Sequence, residues 1–218
     1  MDSFRIKPAG DSALLIEVGE EINPQTSRRV HALAARLAQN PLPGLGEAVP
    51  GYASLLLHFD PLIIPGDQIQ QWVASILEER LDAQAPPPGR SLEIPTLYDG
   101  PDLASLAAAK HLAIDEVIRL HAGREYLVYL VGFTPGFAYL GEMDERIAAP
   151  RLATPRKSVP AGSVGIAGRQ TGVYPIESPG GWQLIGRTNL VFFNPLADPP
   201  CLLAPGDRVT FRPVEHLP

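Results

Sequence analysis

Residues 132–188 constrain the fold of this chain more than any other stretch. They read GFTPGFAYLGEMDERIAAPRLATPRKSVPAGSVGIAGRQTGVYPIESPGGWQLIGRT and hold ten of the twenty glycines and six of the twenty-four prolines. Glycine admits positive φ, while proline fixes φ and removes a backbone donor. A helix does not tolerate both at this density. Between them lie short apolar runs, Val164-Gly165-Ile166-Ala167 and Trp182-Gln183-Leu184-Ile185. The pattern predicts short strands joined by tight loops in a closed or nearly closed sheet. Charge is uneven as well. Arg146, Arg151, Arg156, Lys157 and Arg169 fall within residues 146–176 without one carboxylate, in a chain of formal net charge −6. Acids cleared from a loop-rich segment of an acidic protein fit an anion site, and solvated loop charges fit as well.

The remaining composition sets bounds. A chain of 218 residues suits one large or two small domains and buries roughly 70% of its unfolded surface. Its 45% hydrophobic and 19% charged content is that of a globular protein. Net negative charge gives no general attraction to nucleic acid or anionic membranes. The single cysteine, Cys201, excludes an intrachain disulfide and fits a reducing compartment. The opening MDSFRIKPAGDSALL lacks a basic region followed by a long apolar core, so no signal peptide is expected. The apolar runs fall far short of the ~20 residues that span a bilayer. A cytoplasmic location is expected.

Taken in order, residues 4–6 and 13–18 read as strands turned by Pro8-Ala9-Gly10-Asp11. Asn23 then caps a helix with Pro24 at its first position, Val30, Leu33, Ala34 and Leu37 on its apolar face, and Asn40-Pro41 at its end. Residues 47–60 read as a strand or strand pair. A second helix starts at Asp67, with Gln70 completing a capping box and Trp72 in the core. This order predicts a small α/β sandwich over residues 1–83, with a linker at residues 82–89, where DAQAPPPG favours a stiff extended spacer. The second domain, residues 84–218, is predicted to hold strands at 92–97 and 126–131, helices at 103–110 and 115–121, and closing strands at 190–193 and 208–211. Gly123 is expected as a left-handed cap of the second of those helices.

Standard catalytic parts are absent. No G-x-x-x-x-G-K-[ST] loop cradles a phosphate, and no serine sits in a G-x-S-x-G elbow. The five histidines are scattered and no cysteine cluster exists, so no metal site is expected. Three local features and one nearby histidine remain. Phe133, Phe137 and Tyr139 interleave with Gly132, Pro135 and Gly136, which suits either a small-ligand pocket or a tight barrel corner. His121, just before the strand that enters this segment, suits an acid or base near pH 7, or a structural place at a helix C-terminus. Arg156 and Lys157 beside Pro160-Ala161-Gly162-Ser163 offer paired hydrogen bonds and backbone N–H groups to a carboxylate or phosphate. Gln170, Thr171, Tyr174 and Ser178, with the bare backbone of Gly180-Gly181 before Trp182, offer neutral groups to an amide or lactam.

The segments GFTPGFAYLG, TPRKSVPAGSVGIAGRQTG and YPIESPGGWQLIGRT, together with the opening FRIKPAGDSALLIEVG, resemble the family that contains the 5-oxoprolinase B subunit, as well as the kinase inhibitor KipI. Older naming calls it allophanate hydrolase subunit 1. The resemblance covers nearly the whole chain and implies an α+β protein, a small α/β sandwich followed by a cyclophilin-like β-barrel. It further implies one component of a heteromeric complex, working with a carboxyltransferase-like C subunit plus a LamB/YcsF-type A subunit. That complex opens the lactam of 5-oxoproline (pyroglutamate) to L-glutamate with ATP. On that reading His121, Arg156 and Lys157 are the candidate catalytic groups. Phe133, Gly136, Phe137, Tyr139, Gly162, Ser163, Gln170, Thr171, Tyr174, Ser178, Gly180, Gly181 and Trp182 are the candidate substrate contacts. The alternatives are a KipI-like inhibitor of a sensor histidine kinase and a component of an allophanate- or urea-related amide hydrolase. Two departures from the family pattern are visible. Leu112-Ala113-Ile114 replaces a Ser-Pro-like helix cap, and the loop after the domain's first strand shrinks to Tyr98-Asp99-Gly100, so no role is carried over to that loop.

Overall fold

A computed structural model describes residues 4–78 and 89–217. The chain divides into two compact units, Met1–Pro87 and Pro88–Pro218. The expected linker lies, but for Gly89, outside the described residues.

In the first unit, β1 (Arg5–Pro8) and β2 (Ala13–Glu17) pair antiparallel. Helix α1 (Pro24–Gln39) begins as the sequence predicts, with the Thr26 N–H donating to Asn23 Oδ1 at 2.8 Å. The run at 47–60 resolves into an antiparallel pair, β3 (Leu45–Pro50) and β4 (Ser54–Phe59). Helix α2 (Gly66–Glu78) already includes Gly66, so Asp67 lies in its first turn, where a negative charge suits the helix dipole, and does not precede the helix as a cap. The sheet runs β1-β2-β4-β3. Alternation along its strands aims Leu14, Ile16, Leu55, Leu57 and Phe59 at Val30, Leu33, Ile69 and Val73 of the helices. Trp72 packs partly buried against this core.

The second unit contains β5 (Ser91–Thr96), α3 (Leu103–Ala109), α4 (Ile114–Ala122), β6 (Glu125–Val131), β7 (Ala138–Gly141), β8 (Arg156–Val159), β9 (Ser163–Ala167), β10 (Gln170–Val173), β11 (Ser178–Gly180), β12 (Gln183–Arg187) and β13 (Arg208–Pro213). Seven of the strands form one sheet in the order β12-β9-β10-β7-β6-β13-β5, and β8 pairs with β11 apart from it. The two edge strands meet where Leu97 and Arg187 exchange backbone hydrogen bonds of 2.9 and 2.8 Å. The sheet is therefore nearly closed, as the glycine and proline pattern implies, and the molecule is of mixed α+β class. Its interior is filled by Ile94, Tyr126, Val128, Leu140, Ile166 and Phe211. Among the described residues no helix is long and apolar enough to cross a membrane.

Three local expectations differ. Residues 190–193 form no strand, and only Phe193 bridges to Cys201. Pro195, Pro199 and Pro200 remove donors on the loop side of that bridge, and on its other side, among the described residues, only the Leu202 N–H donates, to the Phe192 carbonyl at 2.9 Å. Gly123 has φ −79°, not the left-handed value expected of a cap. Glycine is required there by proximity, since a Cβ would lie 2.7 Å from the Arg119 carbonyl oxygen. Helix α4 starts one residue early, at Ile114, with no side-chain cap, and Asp115 and Glu116 supply charge in its first turn.

Candidate functional site

The strand β6 delivers the chain into residues 132–137, whose backbone bonds fold them tightly. The Thr134 N–H donates to the Gly132 carbonyl at 2.9 Å, which places Phe133 at the centre of a three-residue turn with φ 69°. That turn is the rarer, strained hand. The Phe137 N–H donates to the Thr134 carbonyl at 3.0 Å across Pro135-Gly136, with Gly136 at φ 83°, the arrangement of a type II turn. A Cβ on Gly136 would also lie 2.8 Å from that of Phe193. The double turn pushes Phe133 outward, 62% exposed, and Phe137 inward, 1% exposed.

Phe137 is the hub of an aromatic cluster. Its ring centroid lies 5.6 Å from Phe133, 4.9 Å from Tyr139, 5.3 Å from Tyr174 and 5.2 Å from Trp182, all edge-to-face. Such contacts are worth about 0.5–1.5 kcal/mol each beyond area burial and fix ring orientation. These rings, with Arg151, Pro155, Pro179, Gly180 and Gly181, wall a cavity of about 270 Å³. Burial raises the phenols of Tyr139 and Tyr174 above the ordinary tyrosine range, and the Arg151 charge opposes that rise at both.

The five cations of the acid-free tract find different partners. Arg146 pairs with Asp144 at 2.9 Å and Arg169 with Glu145 at 2.8 Å. Arg156, expected to grip an anion, is committed inside the protein. Its Nη2 lies 2.6 and 2.8 Å from the two oxygens of buried Asp102, and its Nη1 donates to the Trp182 carbonyl at 3.2 Å. Asp102 in turn accepts the Leu184 N–H at 2.6 Å. The partner lies 54 positions upstream, beyond the reach of local sequence reading. Lys157 is exposed on β8 and lies outside the cavity wall. Arg151 is exposed on the wall and has no ion-pair partner among the described residues.

His121 is fully buried, not at the wet end of its helix. Thr171 Oγ1 donates to the Gly165 carbonyl at 3.0 Å, so it accepts from His121 Nε2, 2.8 Å away. Nε2 then carries the proton and Nδ1 accepts from the Tyr98 hydroxyl at 2.7 Å. Burial pushes the His121 pKa down to about 3. The ring is neutral near pH 7, so titration there, one of the two roles its position suits, does not occur.

Of the expected substrate contacts, Phe133, Phe137, Tyr139, Tyr174, Gly180, Gly181 and Trp182 come together on the cavity. The others do not line it. Gly136 shapes the double turn, and Gly162, at φ 81°, turns the chain under the Thr188 carbonyl. Ser163 and Ser178 are buried in β9 and β11, Gln170 opens β10, and Thr171 belongs to the His121 network. Arg151, Pro155 and Pro179 are wall residues that the sequence reading did not select. The one signal for Arg151 was its place in the acid-free tract, which it shared with four other cations. Among the described residues no group of His, Cys, Asp or Glu could hold a metal ion.

Comparison with known proteins places this architecture. Residues 4–203 match the carboxyltransferase domain, subdomain C and D. A Bacillus subtilis (strain 168) protein named as the B subunit of 5-oxoprolinase is 47% identical, with 95% of this chain aligned to 92% of that protein. Its namesake in Escherichia coli O157:H7 is 43% identical, over 98% of this chain and 97% of that protein. The crystal structure of TTHA0988 shares 39% identity at a TM-score of 0.82, covering 94% of this chain. This chain spans 40% of that longer one.

Proposed function

The chain belongs to the carboxyltransferase subdomain C and D family, and from that membership we propose that it is the B-type subunit of an ATP-dependent 5-oxoprolinase. One observation carries the reading. The likeness to proteins named as 5-oxoprolinase B subunits runs from end to end in both directions, at 95% and 92% for one and 98% and 97% for the other. A shared domain inside otherwise different proteins would not align so.

The reaction opens the lactam of 5-oxoproline to L-glutamate. Water adds to the amide carbonyl, the ring C–N bond breaks, and the nitrogen takes up protons. ATP, consumed by the complex, would supply a phosphoryl group to the amide oxygen with loss of ADP, and that group would leave as phosphate when water opens the ring. The chain's own part is to hold a small ring against the walls formed by Phe137, Tyr139, Tyr174 and Trp182 and to keep water from its faces. Gly180 and Gly181 let the ring approach bare backbone. Arg156, through the Trp182 carbonyl and Asp102, positions the wall without touching the ligand. His121, neutral and doubly hydrogen-bonded, stabilises the barrel and takes no proton. Completing the active site falls to two partners, a carboxyltransferase-like C subunit plus a LamB/YcsF-type A subunit. The barrel is of cyclophilin-like type, preceded by an α/β domain of residues 1–83, and the complex is cytoplasmic.

Glutamate release from 5-oxoproline and ATP, measured with the three components mixed and each omitted in turn, tests the reading. Release that stops when this chain is left out supports it. Equal release without this chain, or none in the complete mixture, overturns it.

A further inference from the structure

We propose that Arg151, with the phenols of Tyr139 and Tyr174, forms an anion-receiving end of the aromatic cavity, which selects ligands bearing one carboxylate on a small ring. Naming that ligand as 5-oxoproline rests on the function proposed above, whereas the anion end stands on the geometry alone.

Arg151 is the one charged side chain among the residues that wall the cavity. Its neighbours in the tract, Arg146, Arg156 and Arg169, each hold a carboxylate of the protein, and Arg151 holds none among the described residues. A guanidinium left unpaired beside packed aromatic rings is a receptor for an external anion, because its fork matches both oxygens of a carboxylate. The low-dielectric ring faces strengthen that attraction relative to open water. Burial raises the phenols of Tyr139 and Tyr174 above the ordinary tyrosine range, so at neutral pH they add no negative charge beside Arg151. The remaining walls are aromatic rings, proline and glycine, which suit a small ring and offer no second charge. A space of about 270 Å³ limits the ligand to a small molecule. Gly181 borders Arg151, since a Cβ there would lie 3.8 Å from that of Arg151, an ordinary contact distance. The ligand is thus gripped at one end of the cavity and stacked in the rest.

The test uses the full chain carrying Trp72→Phe, which leaves Trp182 as its only tryptophan and so as a fluorescent reporter in the wall. The chain is titrated with 5-oxoproline, with the uncharged primary amide of 5-oxoproline, and with benzoate. The proposal expects a saturable change with at least one of the two acids and binding of the amide at least about tenfold weaker than that of 5-oxoproline. Arg151→Ala weakens the acids by about tenfold or more and leaves the amide unchanged, and Arg151→Lys restores only part, lacking the fork. Because Arg151 is exposed and has no ion-pair partner among the described residues, these variants are expected to melt with the parent. Silence toward both acids, or acid binding indifferent to Arg151→Ala, overturns the proposal. Arg151-dependent binding of benzoate without any of 5-oxoproline keeps the anion end and removes 5-oxoproline as its ligand. Glutamate release by the assembled complex with an unchanged KM in Arg151→Ala removes Arg151 and leaves the proposed function standing.

Discussion

At neutral pH the His121 ring is uncharged because it is sealed from water, with its two nitrogens bonded to Tyr98 and Thr171. In the unfolded chain it titrates near pH 6.5. Its folded pKa is lowered, so above the unfolded value neither state binds the proton and the group is neutral toward folding. As pH falls from 6.5 toward 3, the unfolded chain gains a proton that the folded chain refuses, and stability declines by up to about 1.4 kcal/mol per unit. Urea denaturation at pH 7.5, 6 and 5 is expected to show this slope, and His121→Gln to flatten it. A second residue-scale expectation concerns adjacent glycines. A Cβ on Gly180 would fall 2.7 Å from Tyr174 ring carbons, whereas one on Gly181 would sit at ordinary distance, 3.6 Å from Pro155. Gly180→Ala is therefore expected to cost about 1–3 kcal/mol by overpacking, and Gly181→Ala close to none, as read by urea midpoints. Neither the buried histidine nor this contrast was legible in sequence, because both depend on residues brought in from other strands.

At the scale of elements, the Asp102–Arg156 pair fastens the start of α3 to β8 and β12. Asp102 is 8% exposed and bonds Arg156, the Leu184 N–H and, through its own N–H, the Leu184 carbonyl. Arg156→Ala leaves that carboxylate buried without its cation and is expected to cost about 2–3 kcal/mol, below the full penalty of a deeply buried pair because the arginine is partly exposed. The double variant with Asp102→Ala is expected to cost less than the two single changes added, by urea denaturation in a double-mutant cycle. Local signals served the elements well where the cause was local. Asn23-Pro24 marks the start of α1, the apolar and aromatic run of residues 126–131 marks β6, and Pro135-Gly136 marks a turn. They misled where the cause was distant. Residues 190–193 have the apolar content of a strand, yet their pairing stops at the Phe193–Cys201 bridge and one further bond, from the Leu202 N–H to the Phe192 carbonyl.

At the scale of the whole molecule, the glycine and proline pattern of residues 132–188 carried the nearly closed sheet, and its motifs carried the family. They could not say which of five cations would stand at the cavity without an ion-pair partner among the described residues. That choice is made by Asp102, Asp144 and Glu145, which claim Arg156, Arg146 and Arg169 and leave Arg151 beside the aromatic rings. The central claim is that this cavity receives the substrate of a 5-oxoprolinase complex. The most direct measurement is the 5-oxoproline dependence of glutamate release by the reconstituted complex containing Gly181→Leu, a change that fills the cavity from a position where a Cβ is accommodated. The account predicts that kcat/KM falls by about tenfold or more, about 1.4 kcal/mol or more of lost transition-state binding, while the melting temperature of the chain holds. An unchanged kcat/KM in a folded, fully assembled complex would contradict it.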